Sequence, residues 1–198
     1  MEYSTLDKLG VRVSRLGFGC MRFPLTAEGK IDEPRAAAML DTAYKAGVTY
    51  YDTAYFYHQH TGEAFLGRAM KRYPRDTFYL ATKMPMSIVE SLDHAKEIFE
   101  GQLAALQTDY VDFYLLHAVN GERWKQAQEM GIVDFLLEMQ KAGRIRHFGF
   151  SFHGSYEEFE TILTARDWDF CQIQYNYMDT EEQAGDKGYA LAEELGIP

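Results

Sequence analysis

Two cysteines are all that the 198 residues contain, Cys20 and Cys171, far apart and without a C-x-x-C spacing. That excludes a disulfide framework and a cysteine-pair zinc site, and it leaves two reduced thiols of the kind found in the cytoplasm. No apolar run approaches the roughly 20 residues of a membrane helix. The opening MEYSTLDKLG lacks the basic-then-apolar pattern of an export signal. Basic charge is also short. Twenty Lys and Arg against 30 Asp and Glu give a net charge of −10, which works against nonspecific nucleic-acid binding. An anionic cofactor stays open, because a local cluster of donors can hold phosphates on an acidic protein. No Ser/Gly/Pro-rich linker or low-complexity tract interrupts the chain, so residues 1–198 are expected to form one domain. A Gly-x-Gly-x-x-Gly turn is missing too. GFGCMRFP supplies two glycines and then places Arg22 where the third belongs, which argues against an open dinucleotide-binding sheet.

What is present is a repeated unit. LDTAYKAG leads into VTYYD, LLEMQKAG into RIRHFGFS, and YALAEELG into IP, each an apolar helical spacing closed by a glycine (Gly47, Gly143, Gly196). Short apolar or β-branched runs at 15–19, 48–52, 77–83, 110–117, 144–151 and 169–174 read as strands. Segments 33–46, 61–71, 87–106, 127–142, 155–165 and 181–195 read as the helices between them. STLDKLGVRV ahead of the first unit reads as a small hairpin turned at KLG. Strand–helix alternation of this kind predicts an α/β fold with a parallel sheet, either open or closed into a barrel.

The strand ends favour the barrel. Successive strand runs end on Asp52, Lys83, His117 and Ser151, and the sixth carries Gln172 and Gln174. Each alone has a bland reading: Asp52-Thr53 as a turn, Lys83 as a surface lysine, His117 as a residue closing a strand. Four in succession put ionisable and hydroxyl groups around one mouth, the C-terminal face where barrel active sites are built. The stretch YYDTAYFYH (50–58) adds five rings beside that mouth. Of these, Tyr55 and Phe56 are candidates for a substrate pocket, and His58 and His60 read as loop residues. No metal site is expected. A hydrolase that holds ions at such a mouth wants His-x-His after the first strand, and GFGCM has no histidine.

In order along the chain, LGFGCMRF, GVTYYDTAYFYH, YLATK, YVDFYLLH, IRHFGFS and CQIQYNYMD closely resemble the aldo-keto reductases. The opening LGFGCMRFP most resembles a branch that often carries a C-terminal iron–sulfur-type extension, of which this sequence has none. The resemblance implies a TIM-type (β/α)8 barrel and the reduction of an aldehyde or ketone with NADPH, NADH being possible. It makes Tyr57, five residues after Asp52, the proton donor. Lys83 would lower the Tyr57 pKa, Asp52 would orient Lys83, and His117 would donate to the carbonyl oxygen. Met21, Asp52, Ser151 and Gln172 would meet the cofactor, and Phe152 stands where many members have an asparagine contact. The expected partners are a small-molecule carbonyl substrate, with no nucleic acid and no membrane, in a cytoplasmic protein. In the family, LGIP introduces the seventh strand. The sequence as given is therefore expected to hold about six β/α units plus the hairpin, without the last strands and their cofactor loops. The alternative implied by that shortfall is a catalytically silent, cofactor-sensing or partner-binding subunit, or an inactive fragment.

Overall fold

The chain first reverses through Asp7–Gly10, pairing β1 (Tyr3–Leu6) with β2 (Val11–Ser14) as the expected antiparallel hairpin. The structure is a computed structural model and describes all residues, 1–198. After the hairpin come β3 (Phe18–Gly19), α1 (Glu33–Lys45), β4 (Tyr50–Asp52), α2 (Gly62–Met70), β5 (Tyr79–Met84) and α3 (Leu92–Leu106). Then follow β6 (Val111–Val119), α4 (Gly121–Glu129), α5 (Ile132–Lys141), β7 (Ile145–Phe152), α6 (Tyr156–Thr164), β8 (Phe170–Ile173) and α7 (Gly185–Glu194). Strands β3 to β8 form one sheet in sequence order, every neighbour parallel. This is the α/β class expected, six consecutive units of a TIM-type barrel with an N-terminal hairpin. No helix is long and apolar enough to cross a membrane.

Side chains alternate across a strand, and here the two faces have different partners. Tyr51, Leu80, Met84, Tyr114, Leu116, Phe148 and Phe150 face the helices. They merge with Leu40, Phe65, Phe99, Leu136 and Phe159 into one continuous core. On the opposite face Tyr50, Tyr79, Phe113 and Phe170 pack against Leu6, Leu9, Val11 and Val13 of the hairpin. Strands two apart in a flat sheet are roughly 10 Å apart. Yet the Phe113 ring of β6 lies 5.0 Å from Tyr50 of β4 and 5.1 Å from Phe170 of β8. Rings converge like this only on the concave side of a curled sheet. Gly149 of β7 permits it, since a Cβ there would sit 2.3 Å from the Phe170 carbonyl oxygen. The hairpin therefore plugs the N-terminal end of the curled sheet and leaves the C-terminal end uncovered.

Several boundaries differ from expectation, among them the last helix, expected from 181 and found from Gly185. The helix expected at 87–106 begins at Leu92, because Ser91 caps it by accepting the His94 N–H at 3.1 Å. The single helix expected at 127–142 is two. Gly131 takes a left-handed φ of 71° and separates α4, which starts earlier behind an Asn120 cap, from α5. The strand expected at 15–19 narrows to Phe18–Gly19, paired with β4 alone.

Candidate functional site

Asp52, Lys83, His117, Ser151 and Gln172 share the strand parity of the concave-face rings, one or two pleats nearer the C-terminal ends. Period-two alternation thus carries all five to the open end of the barrel, where the expectation put them. Ser151 and Gln172 are direct register partners on β7 and β8. Lys83, only 3% exposed at its side chain, donates to Asp52 Oδ1 at 2.6 Å and to the Thr53 carbonyl oxygen at 2.9 Å. A lysine buried this deeply is held by a carboxylate and a carbonyl, so it has one orientation.

From the helix side, a second polar group fixes the strand that carries Lys83. The buried carboxylate of Glu63, at the start of α2, accepts from the Thr82 hydroxyl and from Gln102 Nε2 of α3. Gln102 Nε2 also donates to the Lys83 carbonyl oxygen at 3.0 Å, and the Tyr114 hydroxyl donates to Gln102 Oε1 at 2.6 Å. Burial raises the Glu63 pKa.

Tyr57 stands in the loop after β4, its N–H donating to the Ala54 carbonyl oxygen at 3.1 Å. Three successive residues, His58, Gln59 and His60, then take left-handed φ of 52°, 53° and 67°. Side chains resist that conformation, so the turn needs an anchor. His58 supplies one. Its ring stacks on Phe23 at 5.4 Å, with Nε2 3.3 Å from the Phe23 N–H and 3.1 Å from the Cys20 carbonyl oxygen, so either tautomer makes one bond. His58 is thus a structural tie between this loop and the loop after β3. Phe56, 37% exposed, lies with its ring 6.2 Å from that of His117, and the Tyr57 and His117 rings are 6.4 Å apart. Met21 is exposed beside the same mouth, one residue beyond buried Cys20.

Burial and neighbouring charge set the protonation at the mouth. Burial first, then the negative charge of Asp52 and the thiol of Cys20, push the Tyr57 phenol up to about 12. Lys83 Nζ points at Asp52 and Thr53 and sits 5.4 Å from the centre of the Tyr57 ring. His117 moves down to about 4, through burial and then through the positive charge of Lys83, His153 and Arg123. At neutral pH the mouth therefore presents a protonated phenol and an uncharged imidazole.

Buried polar atoms without a protein partner collect at this end: Asp52 Oδ2, Thr53 Oγ1, His117 Nδ1 and Gln174 Oε1. Such atoms are costly unless something else meets them. The Gln172 side chain, half-buried, is likewise without a protein hydrogen bond, whereas the Ser151 hydroxyl already accepts the Ala118 N–H at 2.8 Å. An apolar lining alone would point elsewhere. An apolar cavity of about 540 Å³ lies between β3 and α1, lined by Leu16, Phe18, Met39 and Val48, and none of these belongs to the polar mouth.

Sequence reasoning did not single out Glu63, Gln102, Ala118 or Arg123. Glu63 and Gln102 fall within apolar helical patterns that read as ordinary surfaces. Arg123 was readable in principle, because NGER places a capping asparagine three residues before it.

Comparison with known proteins agrees with this fold. A sequence model of the Aldo/keto reductase family matches residues 15–198. The aldo-keto reductase YhdN of Bacillus subtilis is 30% identical over 200 residues, covering 96% of this chain and 58% of that protein. Norsolorinic acid reductase stcV of Emericella nidulans is 32% identical over 160 residues, covering 72% of this chain and 40% of that one. The solved holo form of aldo-keto reductase AKR11C1 from Bacillus halodurans superposes with a TM-score of 0.81 at 29% identity. That match covers 100% of this chain and 64% of the solved one. The chain thus spans less than two thirds of the length of each of these relatives.

Proposed function

The chain belongs to the aldo/keto reductase family, and from that premise we propose that it reduces an aldehyde or ketone on a small molecule, with Tyr57 as the proton donor. The observation that carries the reading is the Lys83–Asp52 pair beneath the Tyr57 ring, with the neutral His117 beside it. NADPH, or NADH, supplies the hydride when bound. Gln172, Ser151, Asp52 and Met21 are the residues we assign to its nicotinamide end. The free amide of Gln172 and the orphaned Asp52 Oδ2 fit a carboxamide and a ribose hydroxyl in donor and acceptor type. A hydroxyl oxygen has two lone pairs, so Ser151 keeps one beyond its bond to Ala118.

The chain's own residues then have separate tasks. Tyr57, at about 12, holds its proton throughout the neutral range and gives it to an alkoxide, which is far more basic than a phenolate. The phenolate left behind is paired electrostatically by Lys83, which Asp52 and Thr53 hold in place. His117, neutral above about pH 4, donates from one ring nitrogen to the carbonyl oxygen as charge builds there. Phe56 forms an apolar wall for the substrate next to His117. We assign the enzyme to the cytoplasm, where the unpaired Cys20 and Cys171 stay reduced.

The test is NADPH oxidation by the purified chain against a panel of aldehydes and ketones. Carbonyl-dependent oxidation is expected. Tight NADPH binding with no turnover on any carbonyl would overturn the assignment of a reductase.

A further inference from the structure

Strand β6 carries one residue too many beside His117. Leu116 pairs with Phe150 and Val119 with Phe152, so β6 advances three residues while β7 advances two. The surplus is a β-bulge at His117–Ala118. Strict alternation would turn Val119 to the concave face together with His117. Instead Val119 is fully buried in the helix-facing core with Leu116, and His117 and Ala118 are left at the mouth. Bulges re-aim side chains in this way, often next to active sites. The cost falls on Ala118, a non-glycine residue at φ 49°.

Two side chains hold that residue from both sides of its peptide. The Ser151 hydroxyl accepts the Ala118 N–H at 2.8 Å, and the Arg123 guanidinium donates to the Ala118 carbonyl oxygen at 2.6 Å. Arg123 is itself fixed. Its backbone N–H donates to the Asn120 cap at 3.0 Å, and α4 is tied to α6 where the Gly121 N–H donates to Glu158 Oε1 at 2.9 Å. The chain from His117 to Arg123 is therefore a closed clasp: bulge, cap, first helical turn, and the arginine returning to the bulge.

We propose that Arg123 is a positioning residue that holds His117 toward the mouth by clamping the left-handed Ala118. The assignment of His117 to carbonyl polarisation rests on the reductase reading, but the clamp itself does not. The test follows the His117 ring signal by NMR in histidine-labelled chain, with steady-state kinetics alongside. Arg123→Met is expected to shift or split that signal and to lower kcat by about tenfold to a hundredfold. The KM for NADPH is expected to stay within about twofold, since uniform cofactor binding is not what the clamp serves. Arg123→Lys, which can still donate to the carbonyl, is expected to restore the ring signal and most of kcat. Ala118→Gly, which adopts the left-handed conformation without strain, should keep the wild-type signal and blunt the effect of Arg123→Met in the double variant. An unmoved His117 signal in Arg123→Met, or an undiminished loss in the Ala118→Gly background, overturns the clamp. Should the wild-type chain reduce no carbonyl at all, the reductase reading fails while the ring signal still decides the clamp.

Discussion

The two ends of this barrel treat an aspartate in opposite ways. At the N-terminal end Asp112 is wholly buried and fully engaged. It accepts from Arg75 Nη2 at 2.7 Å, Arg146 Nη1 at 3.0 Å and the Leu80 N–H at 2.9 Å. Both guanidinium groups also lie over the Tyr110 ring, at 4.2 and 4.1 Å. At the C-terminal end Asp52 binds Lys83 through one oxygen and leaves the other buried without a partner. Four of the five orphaned buried side-chain atoms in the chain lie at that end, Arg166 Nη1 being the exception. One end is sealed by the hairpin and satisfied within the protein, as a structural foundation should be. The other keeps unsatisfied groups and left-handed residues that cost stability, and such costs concentrate where a protein meets its ligand.

Substitutions at the two ends should separate these roles. The largest effect is expected from Tyr57→Phe at the open end: kcat falls by about 10²–10⁴ while NADPH binding, followed by fluorescence titration, stays close to wild type. Retained turnover would remove Tyr57 as the donor. At the sealed end Asp112→Ala strands two guanidinium groups. Breaking a buried pair costs about 3–5 kcal/mol, and roughly 2–4 is expected here because Arg146 is half-exposed and can turn to water. Urea unfolding measures it, and activity per folded molecule should not change. A loss of activity at unchanged stability would erase the distinction between the ends.

A smaller effect is expected from acid. His117 titrates near 4 in the folded chain and near 6.5 when unfolded, so between these values the unfolded chain binds more protons. Stability contributed at neutral pH is therefore lost as pH falls from about 6.5 to 4, by roughly 3 kcal/mol at most. Thermal melts of wild type and His117→Gln across that range check it, the variant being expected to show the shallower slope. The smallest effect belongs to Lys8, whose ion pair with Asp167 joins the hairpin to the loop before β8 at the surface. Lys8→Ala is expected to leave the urea midpoint unmoved, since exposed pairs are screened by water and salt.

Much of this is legible in the sequence. The alternation of apolar strands and amphipathic helices, with glycine at the helix ends, gave six β/α units in their right order. Polar residues closing successive strands marked Asp52, Lys83, His117, Ser151 and Gln172, because period two forces residues at matching strand positions onto one face. The helix at 127–142 was misread because its apolar spacing continues across Gly131, and only the left-handed φ there shows the break. Glu63 carried no signal of its own, and Arg123 only its place in the first turn behind the Asn120 cap. Each acts on a residue distant in sequence or through a backbone atom, and side-chain patterns do not report backbone partners.

By itself, then, the sequence determined the architecture and which side chains share the mouth, since both follow from local periodicity. The tertiary structure decided how those side chains are held and charged. The bulge at Ala118, the plug of Leu6, Leu9, Val11 and Val13, and the Glu63–Gln102 brace behind Lys83 all arise from contacts between distant segments. The protonation of Tyr57 and His117 was decided there too, because the burial that shifts both is a property of the packed barrel and of no stretch of chain within it.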